Sequence, residues 1–218
     1  DGRVGMYGNS YNSFTQWSAA KHHPPALKAL MTSGSTAPGI DVPMQGNIFQ
    51  SFMYPWPFYT TNNKSNDDAT YENQKRWDTL YQNWYKAGRA YRDMDAIDGT
   101  PNPVFRRWLE HPDYDAYWQA MTPQREEYAD IDFPVLAVTG YFDGGRVGVQ
   151  HYYDQHLRYN PQADHTILIG PFEHLSINRG VARQIEGYDL DQAALIDLQA
   201  LRYEWFNHVF KGAAKPEL

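Results

Sequence analysis

The sequence predicts an α/β fold in which a doubly wound parallel sheet carries an inserted block of helices. The second half of the chain alternates short apolar runs with helical segments, which is the pattern of such a sheet. The middle of the chain is instead rich in Tyr, Trp, Asn and Pro, and its periodic segments are helical. We therefore predict a core formed by 1–36 and 129–218, and a helical cap formed by 37–128 that covers the carboxyl ends of the strands.

Four short apolar runs are predicted to form the sheet. The strongest is 133–139, where Pro134 stands at the strand start and its missing N–H does least harm. In chain order the predicted strands are 3–7, 29–33, 133–139 and 165–170. The core helices are predicted at 11–22, 147–158 and 191–211, and the last of these ends at Gly212. In the cap, periodicity predicts helices at 70–92, 103–111 and 114–121, with a polar loop at 62–68.

Composition excludes several classes of function. The formal net charge is −7 and no basic cluster occurs, so we expect no nucleic-acid partner. The chain has no cysteine, which excludes thiol catalysis, disulfides and thiolate metal sites but leaves the compartment open. No apolar run is long enough to span a bilayer, so we expect no membrane segment.

The start of the chain is unusual for a complete domain. It opens with Asp1 in place of an initiator Met and passes at once into the apolar run 4–7. We therefore expect a fragment that begins within a domain and ends with the C-terminal part of the sheet. Under that expectation the strand 3–7 is an unprotected edge, and self-association through it is predicted.

A candidate nucleophile stands where the first strand meets the first helix. Gly8-Asn9-Ser10 follows the strand, and a serine on such a sharp turn presents its Oγ away from the backbone. The usual motif has glycine two residues after the serine, whereas this chain has Asn12. The alternative role for Ser10 is a helix N-cap, since serine is among the residues preferred there.

Two further motifs complete a catalytic pattern. Asp143 follows the strongest strand, and His174 follows the next one. Ser, Asp and His in this chain order, each after a strand, is the order of the α/β-hydrolase triad. In that triad histidine takes the serine proton, while the carboxylate fixes the imidazole tautomer and stabilises the imidazolium.

Four segments also resemble one family. The segments 4–17, 111–118, 140–145 and 170–174 are similar to the nucleophile, cap, aspartate and histidine motifs of the X-Pro dipeptidyl-peptidase (peptidase S15) and CocE/NonD hydrolases, a group that includes the α-amino-acid ester hydrolases. The resemblance covers essentially the whole chain. One departure is Ser13, where the family usually has glycine.

The resemblance implies an α/β-hydrolase fold and a role for each motif residue. Ser10 is implied as the nucleophile, Asp143 as the orienting acid and His174 as the base, with the N–H of Tyr11 donating to the oxyanion. No metal or organic cofactor is implied. Family members place further strands, and usually a second oxyanion donor, ahead of the nucleophile strand. We therefore expect this fragment alone to be weakly active or inactive.

The expected substrate is a small acyl ester, an amide or a peptide, and the motifs do not separate an esterase from a peptidase. Glu173 could meet a cationic substrate group, or it could simply point into solvent. Three cap aromatics could line the acyl pocket or could be packing residues. They are Trp56, Trp84 and Trp118.

Two alternative functions stay open at this point. The first is a catalytically inactive hydrolase fold that uses its aromatic cap as a binding module, because Ser13 departs from the family motif. The second is a metal-dependent hydrolase that uses some of the eight histidines, although no ligand spacing supports it.

Overall fold

The structure is a computed structural model that describes residues 2–61 and 64–218. Within the predicted polar loop, residues 62 and 63 lie outside the described part of the chain. The chain divides into two compact units. The first consists of the residues up to Asp41 together with Ala116–Leu218, and the second is Val42–Asp115.

The second unit is shorter than the predicted cap at both ends, and the domain boundaries given above stay a prediction.

In chain order, the strands are β1 (Val4–Asn9), β2 (Leu27–Ser33), β3 (Met44–Gln45), β4 (Ile48–Phe49), β5 (Val135–Phe142), β6 (His165–Glu173), β7 (Gln184–Ile185) and β8 (Tyr188–Asp189). The helices are α1 (Tyr11–Ala20), α2 (Trp56–Thr61), α3 (Asp68–Tyr71), α4 (Gln74–Ala87), α5 (Met94–Asp98), α6 (Pro103–Leu109), α7 (Ala116–Gln119), α8 (Arg146–Tyr159), α9 (Ser176–Arg179) and α10 (Leu198–Lys211). Short 3₁₀ helices lie at Ser51–Met53, Tyr91–Asp93, Arg125–Tyr128 and Gln192–Ala194.

The first unit contains a parallel sheet in the order β1-β2-β5-β6. Successive residues of a strand point to opposite faces, and each face has its own hydrophobic cluster. Leu30 packs with Trp17 and Tyr152 on one side, whereas Met31 packs with Leu136 and Trp205 on the other. The predicted doubly wound α/β class is confirmed.

Strand β1 is an edge of this sheet within the described residues. Val4 and Tyr7 on it are 51% and 57% exposed. Self-association through this strand stays a prediction.

Strands β5 and β6 extend past their predicted ends, because 140–142 and 171–173 are strand rather than loop. Gly140 pairs with Gly170, and a Cβ at Gly140 would overlap the carbonyl of Phe172. The close approach of the two backbones explains the glycine at position 140, and the pairing of the strands continues past it. Asp143 and His174 therefore follow directly on neighbouring strands.

Two predicted helices are interrupted by capping residues. The helix predicted at 70–92 is wrong as a single element, since the Asn73 side chain accepts from Arg76 N–H and starts α4 afresh. The last helix begins at Leu198 rather than at 191, because Asp197 caps it. It ends at Gly212 in the left-handed conformation, as predicted.

The second unit has its own aromatic core. Its buried cluster consists of Tyr54, Phe58, Trp77, Leu80, Met94 and Phe105. Within the described residues, no helix of either unit combines the length and apolar character needed to cross a bilayer.

Candidate active site

Ser10 lies on a strained turn between β1 and α1. Its backbone has φ 59° and ψ −122°, and its N–H donates to the Ser33 carbonyl at 2.9 Å. A non-glycine residue at positive φ costs on the order of 1–3 kcal/mol and persists only where the surroundings impose it. The side chain makes no capping hydrogen bond, so the N-cap alternative does not describe what its hydroxyl does. This geometry matches a nucleophile turn.

Ser13 fits into this turn although the motif calls for glycine there. The side chain is fully buried. Its Oγ accepts from the N–H of Ser33 at 2.8 Å and lies 2.7 Å from the Gly8 carbonyl oxygen and 2.8 Å from that of Ser33. A hydroxyl has one proton, so it donates to one of these two carbonyls at a time. The residue is accommodated by hydrogen bonds rather than by the absence of a side chain.

Asp143 and His174 form a hydrogen-bonded pair. The Nδ1 of His174 lies 2.7 Å from Oδ1 of Asp143, whose side chain is 2% exposed, while that of His174 is 40% exposed. Oδ1 also accepts from the N–H of Gly145 at 2.7 Å, and Oδ2 accepts from the hydroxyl of Thr139 at 3.1 Å. Burial by itself raises the pKa of Asp143, but the hydrogen bonds and the charge of His174 outweigh it and hold that pKa below its ordinary value. The carboxylate is therefore ionised at neutral pH.

The Asp143–His174 pair lies against Gly34, a residue that was not among the predicted site residues. Gly34 has φ +46°, and a Cβ there would lie 2.8 Å from Oδ2 of Asp143. The same point is 3.0 Å from Nδ1 of His174 and 3.0 Å from Oδ1 of Asn9, the residue before Ser10. Gly34 thus brings the Ser10 turn and the Asp143–His174 pair to one place. The available signal was a glycine directly after the second strand.

Tyr11 and Asn12 are the first residues of α1. Their N–H groups have no acceptor within the helix, because the first turn lies beyond the reach of the i−4 bonding pattern. Such groups favour negative charge at a helix start. The predicted oxyanion donor Tyr11 therefore has the backbone position that the role requires.

The other predicted site residues occupy varied environments. Glu173 is exposed at the end of β6. Trp56 is partly buried and contacts the rings of Tyr59 and Tyr71. Trp84 packs beside the aromatic core of the second unit, and Trp118 is 2% exposed in the first unit. The environments of the three tryptophans are those of packing residues, and a role in substrate binding stays a prediction for them and for Glu173.

No group of three or more His, Asp or Glu side chains suited to a metal ion occurs within residues 2–61 and 64–218. His156, which the sequence placed on a core helix, is fully buried there, and its ring bonds to His165 and to the carbonyl of Ile131.

Solved structures share this fold. An aminopeptidase from the marine sediment archaeon Thaumarchaeota archaeon matches all of the chain with a TM-score of 0.71 at 20% identity. An α-amino acid ester hydrolase matches 99% of it with a TM-score of 0.68 at 19% identity. The chain spans 36% of each of these proteins. The predicted α/β-hydrolase fold is confirmed.

Sequence comparison gives the family. A cocaine esterase from Rhodococcus sp. (strain MB1 Bresler) is 26% identical over 198 residues, which are 81% of this chain and 32% of the esterase. The chain thus spans about a third of the length of its relatives. The family model of the X-Pro dipeptidyl-peptidases (S15 family) matches residues 1–176. These relatives are hydrolases of the esterase and peptidase type, and the chain belongs to the X-Pro dipeptidyl-peptidase (S15) family.

Proposed function

We propose that this chain carries the active site of a serine hydrolase, which cleaves an ester or amide acyl bond through an acyl-enzyme. The observation that carries the proposal is the 2.7 Å hydrogen bond between the buried Asp143 carboxylate and Nδ1 of His174. It belongs to a site in which Ser10 stands on a strained turn close by. An ionised, buried carboxylate on Nδ1 is the orienting group that a histidine base needs.

The protonation of His174 follows from this bond. An ionised carboxylate only accepts hydrogen bonds, so Nδ1 of His174 carries the proton and Nε2 carries the lone pair. Nε2 then takes the proton of the Ser10 hydroxyl as Oγ attacks the acyl carbon. The imidazolium that forms is stabilised by Asp143, and it returns the proton to the leaving alcohol or amine. Water attacks the acyl-enzyme in the same way and releases the acid.

The tetrahedral intermediate carries a negative charge on the former carbonyl oxygen. The N–H of Tyr11, directly after Ser10 at the start of α1, is the proposed donor to that oxygen. Its position in the backbone fixes it before the substrate arrives.

The substrate class is drawn from the relatives. They include an esterase, an aminopeptidase and an amino acid ester hydrolase, so we propose esters of small acids and amides or peptides as the substrates to test.

The test compares the natural full-length protein, this chain alone, and Ser10→Ala in both. Each is treated with a fluorophosphonate probe and assayed against p-nitrophenyl esters, amino-acid esters and an X-Pro amide. We expect the wild-type full-length protein to label and turn over, and Ser10→Ala to do neither. Ser18→Ala on the same helix serves as the matched control and should behave as wild type. A full-length protein that neither labels nor turns over any substrate would reject the proposal and favour a binding module.

A further inference from the structure

We infer that Ser13 is a positioning residue of the proposed site, which holds the Ser10 turn in register with the Asp143–His174 pair. The inference rests on the proposed function, because Ser10 is its proposed nucleophile. Ser13 lies in the first turn of α1, three residues after Ser10, with no exposed surface.

The Ser13 hydroxyl connects the ends of two strands. It accepts from the N–H of Ser33 at the end of β2, 2.8 Å away. It donates either to the carbonyl of Gly8, near the end of β1, at 2.7 Å, or to that of Ser33 at 2.8 Å. One buried side chain thus adds a link between the strand that precedes the nucleophile and its neighbour, beside the backbone pairing of the two strands.

Ser33 also contacts Ser10, and the residue after it lies against the Asp143–His174 pair. Its carbonyl also accepts from the N–H of Ser10 at 2.9 Å, so the same peptide unit contacts both residues of the elbow. The next residue is Gly34, against which Asp143 and His174 lie so closely that a methyl group would not fit. A displacement of Ser33 therefore moves the nucleophile turn and the acid–base pair relative to each other.

This connection distinguishes the chain from the motif it resembles. Glycine at this position has no side chain and makes none of these bonds. The hydroxyl adds hydrogen bonds that join α1 to β1 and β2, at a position where the family motif has glycine.

The test uses Ser13→Ala in the full chain, with Ser35→Ala as the matched control. Both serines are fully buried, but the Ser35 hydroxyl makes no hydrogen bond within the described residues. Three quantities are measured under conditions where every variant is fully folded by circular dichroism. They are the amide hydrogen-exchange rate of Ser33, the proton resonance of the His174 Nδ1–H group, and the rate constant of fluorophosphonate labelling in the full-length protein.

We expect Ser13→Ala to raise the exchange rate of Ser33 by about tenfold or more, since its N–H loses a buried acceptor. We also expect it to shift the His174 resonance and to slow labelling by about tenfold or more. Ser35→Ala should leave all three at wild-type values. If Ser13→Ala does not fold, Ser13→Cys replaces it, because the thiol is a weak donor and acceptor.

The outcomes separate the two proposals. A change confined to Ser33 exchange, with the His174 signal and the labelling rate as in wild type, overturns the inference and leaves a local structural bond. Equal effects of Ser13→Ala and Ser35→Ala also overturn it. A wild-type protein that does not label rejects the proposed hydrolase, whereas a shifted His174 resonance in Ser13→Ala still supports the positioning contact.

Discussion

Gly34 occupies the point where three side chains of the candidate site meet. Its positive φ favours glycine on conformational grounds, and the atoms of Asp143, His174 and Asn9 leave no space for a Cβ. The two constraints can be separated experimentally, because other glycines of the chain have a positive φ with open space around them.

We predict that Gly34→Ala lowers the fluorophosphonate labelling rate of Ser10 by about a hundredfold. The added methyl group would lie 2.8–3.0 Å from Oδ2 of Asp143 and Nδ1 of His174, and a displacement of about 1 Å in a catalytic group costs that much. The measurement is the labelling rate constant at full occupancy of the folded state.

Gly212→Ala is the control for this experiment. Gly212 also has a positive φ, +69°, and no atom lies within 4 Å of its Cβ position. It should lose some stability and keep the wild-type labelling rate. Equal losses of labelling in the two variants would attribute the effect to backbone strain and contradict the prediction.

The residues that the sequence identified and those it missed differ in how they are encoded. Asp143 and His174 each follow an apolar strand, and this position in the sequence is what indicates a catalytic role. The catalytic role itself stays a prediction. Ser13 contacts Ser33, which is 20 positions away in the chain, and Gly34 lies against Asp143 and His174, which are farther still. No local spacing reports such contacts, so these two could not be predicted from one sequence.

At the scale of elements, α8 and β6 are joined by a pair of buried histidines. Nε2 of His156 lies 2.9 Å from the Ile131 carbonyl oxygen, so this nitrogen carries a proton and donates. Its Nδ1 therefore accepts from Nδ1 of His165, 3.1 Å away. Nε2 of His165 then carries a lone pair, and this atom is buried without a hydrogen-bond partner in the described part of the chain. Burial lowers the pKa of both rings, so the folded pair is neutral at neutral pH.

We predict that the free energy of unfolding falls as the pH drops below about 6.5. Burial lowers the pKa of His156, and burial together with the charge of His156 lowers that of His165 to about 3. The unfolded histidines bind protons below the ordinary value of 6.5, whereas the folded pair binds them only at lower pH. The contribution of His165 to stability is therefore complete above pH 6.5 and is lost towards pH 3, by up to about 1.4 kcal/mol per pH unit, and His156 contributes with the same sign.

Urea unfolding at several pH values from 7.5 to 5.5 checks this, because carboxylates scarcely titrate in that range. The nearby His151, whose pKa burial also lowers, contributes with the same sign. His165→Leu should flatten the dependence, while His22→Leu, which removes an exposed ring, should keep it. If the pH dependence of the free energy of unfolding is unchanged in His165→Leu, the buried histidine pair is not its cause.

Periodicity predicted most core elements because apolar runs and amphipathic helices follow their own local rules. It failed where a polar side chain restarts a helix, as Asn73 does before α4 and Asp197 before α10. It also failed where Gly140 lets the backbones of β5 and β6 approach closely and continue as strands. The helix boundaries were missed because a polar side chain can either cap a new helix or lie inside a longer one. The strand ends were missed because they depend on pairing with a neighbouring strand.

At the scale of the whole molecule, each compact unit has a hydrophobic core of its own. In Val42–Asp115 the fully buried Phe105 packs edge-on against Tyr54 and Phe49, with ring centroids 5.0 and 5.2 Å away. A shift in composition at about residue 37 predicted a separate block, but the exact boundaries depend on tertiary contacts.

We predict that Phe105→Ala destabilises the second unit by about 3–5 kcal/mol, because it empties a closely packed aromatic site. Amide exchange in α4 should accelerate strongly, and exchange in β5 should stay near the wild-type rate. Tyr85→Ala, which truncates a ring that is 81% exposed on α4, is the control and should change neither. Equal acceleration in α4 and β5 would show that the two cores unfold as one.

The pairing of Gly140 with Gly170 has a consequence for laboratory evolution of this protein. A side chain at Gly140 would meet the backbone of Phe172 and separate the strands that lead to Asp143 and His174, whereas one at Gly170 would meet the Phe172 ring. Tyr141 and Phe142, which follow Gly140, are 64% and 39% exposed. A library randomised over this stretch should therefore return Gly140 unchanged and collect its diversity in the two aromatic positions, where new selectivity can be sought beside an undisturbed acid–base pair.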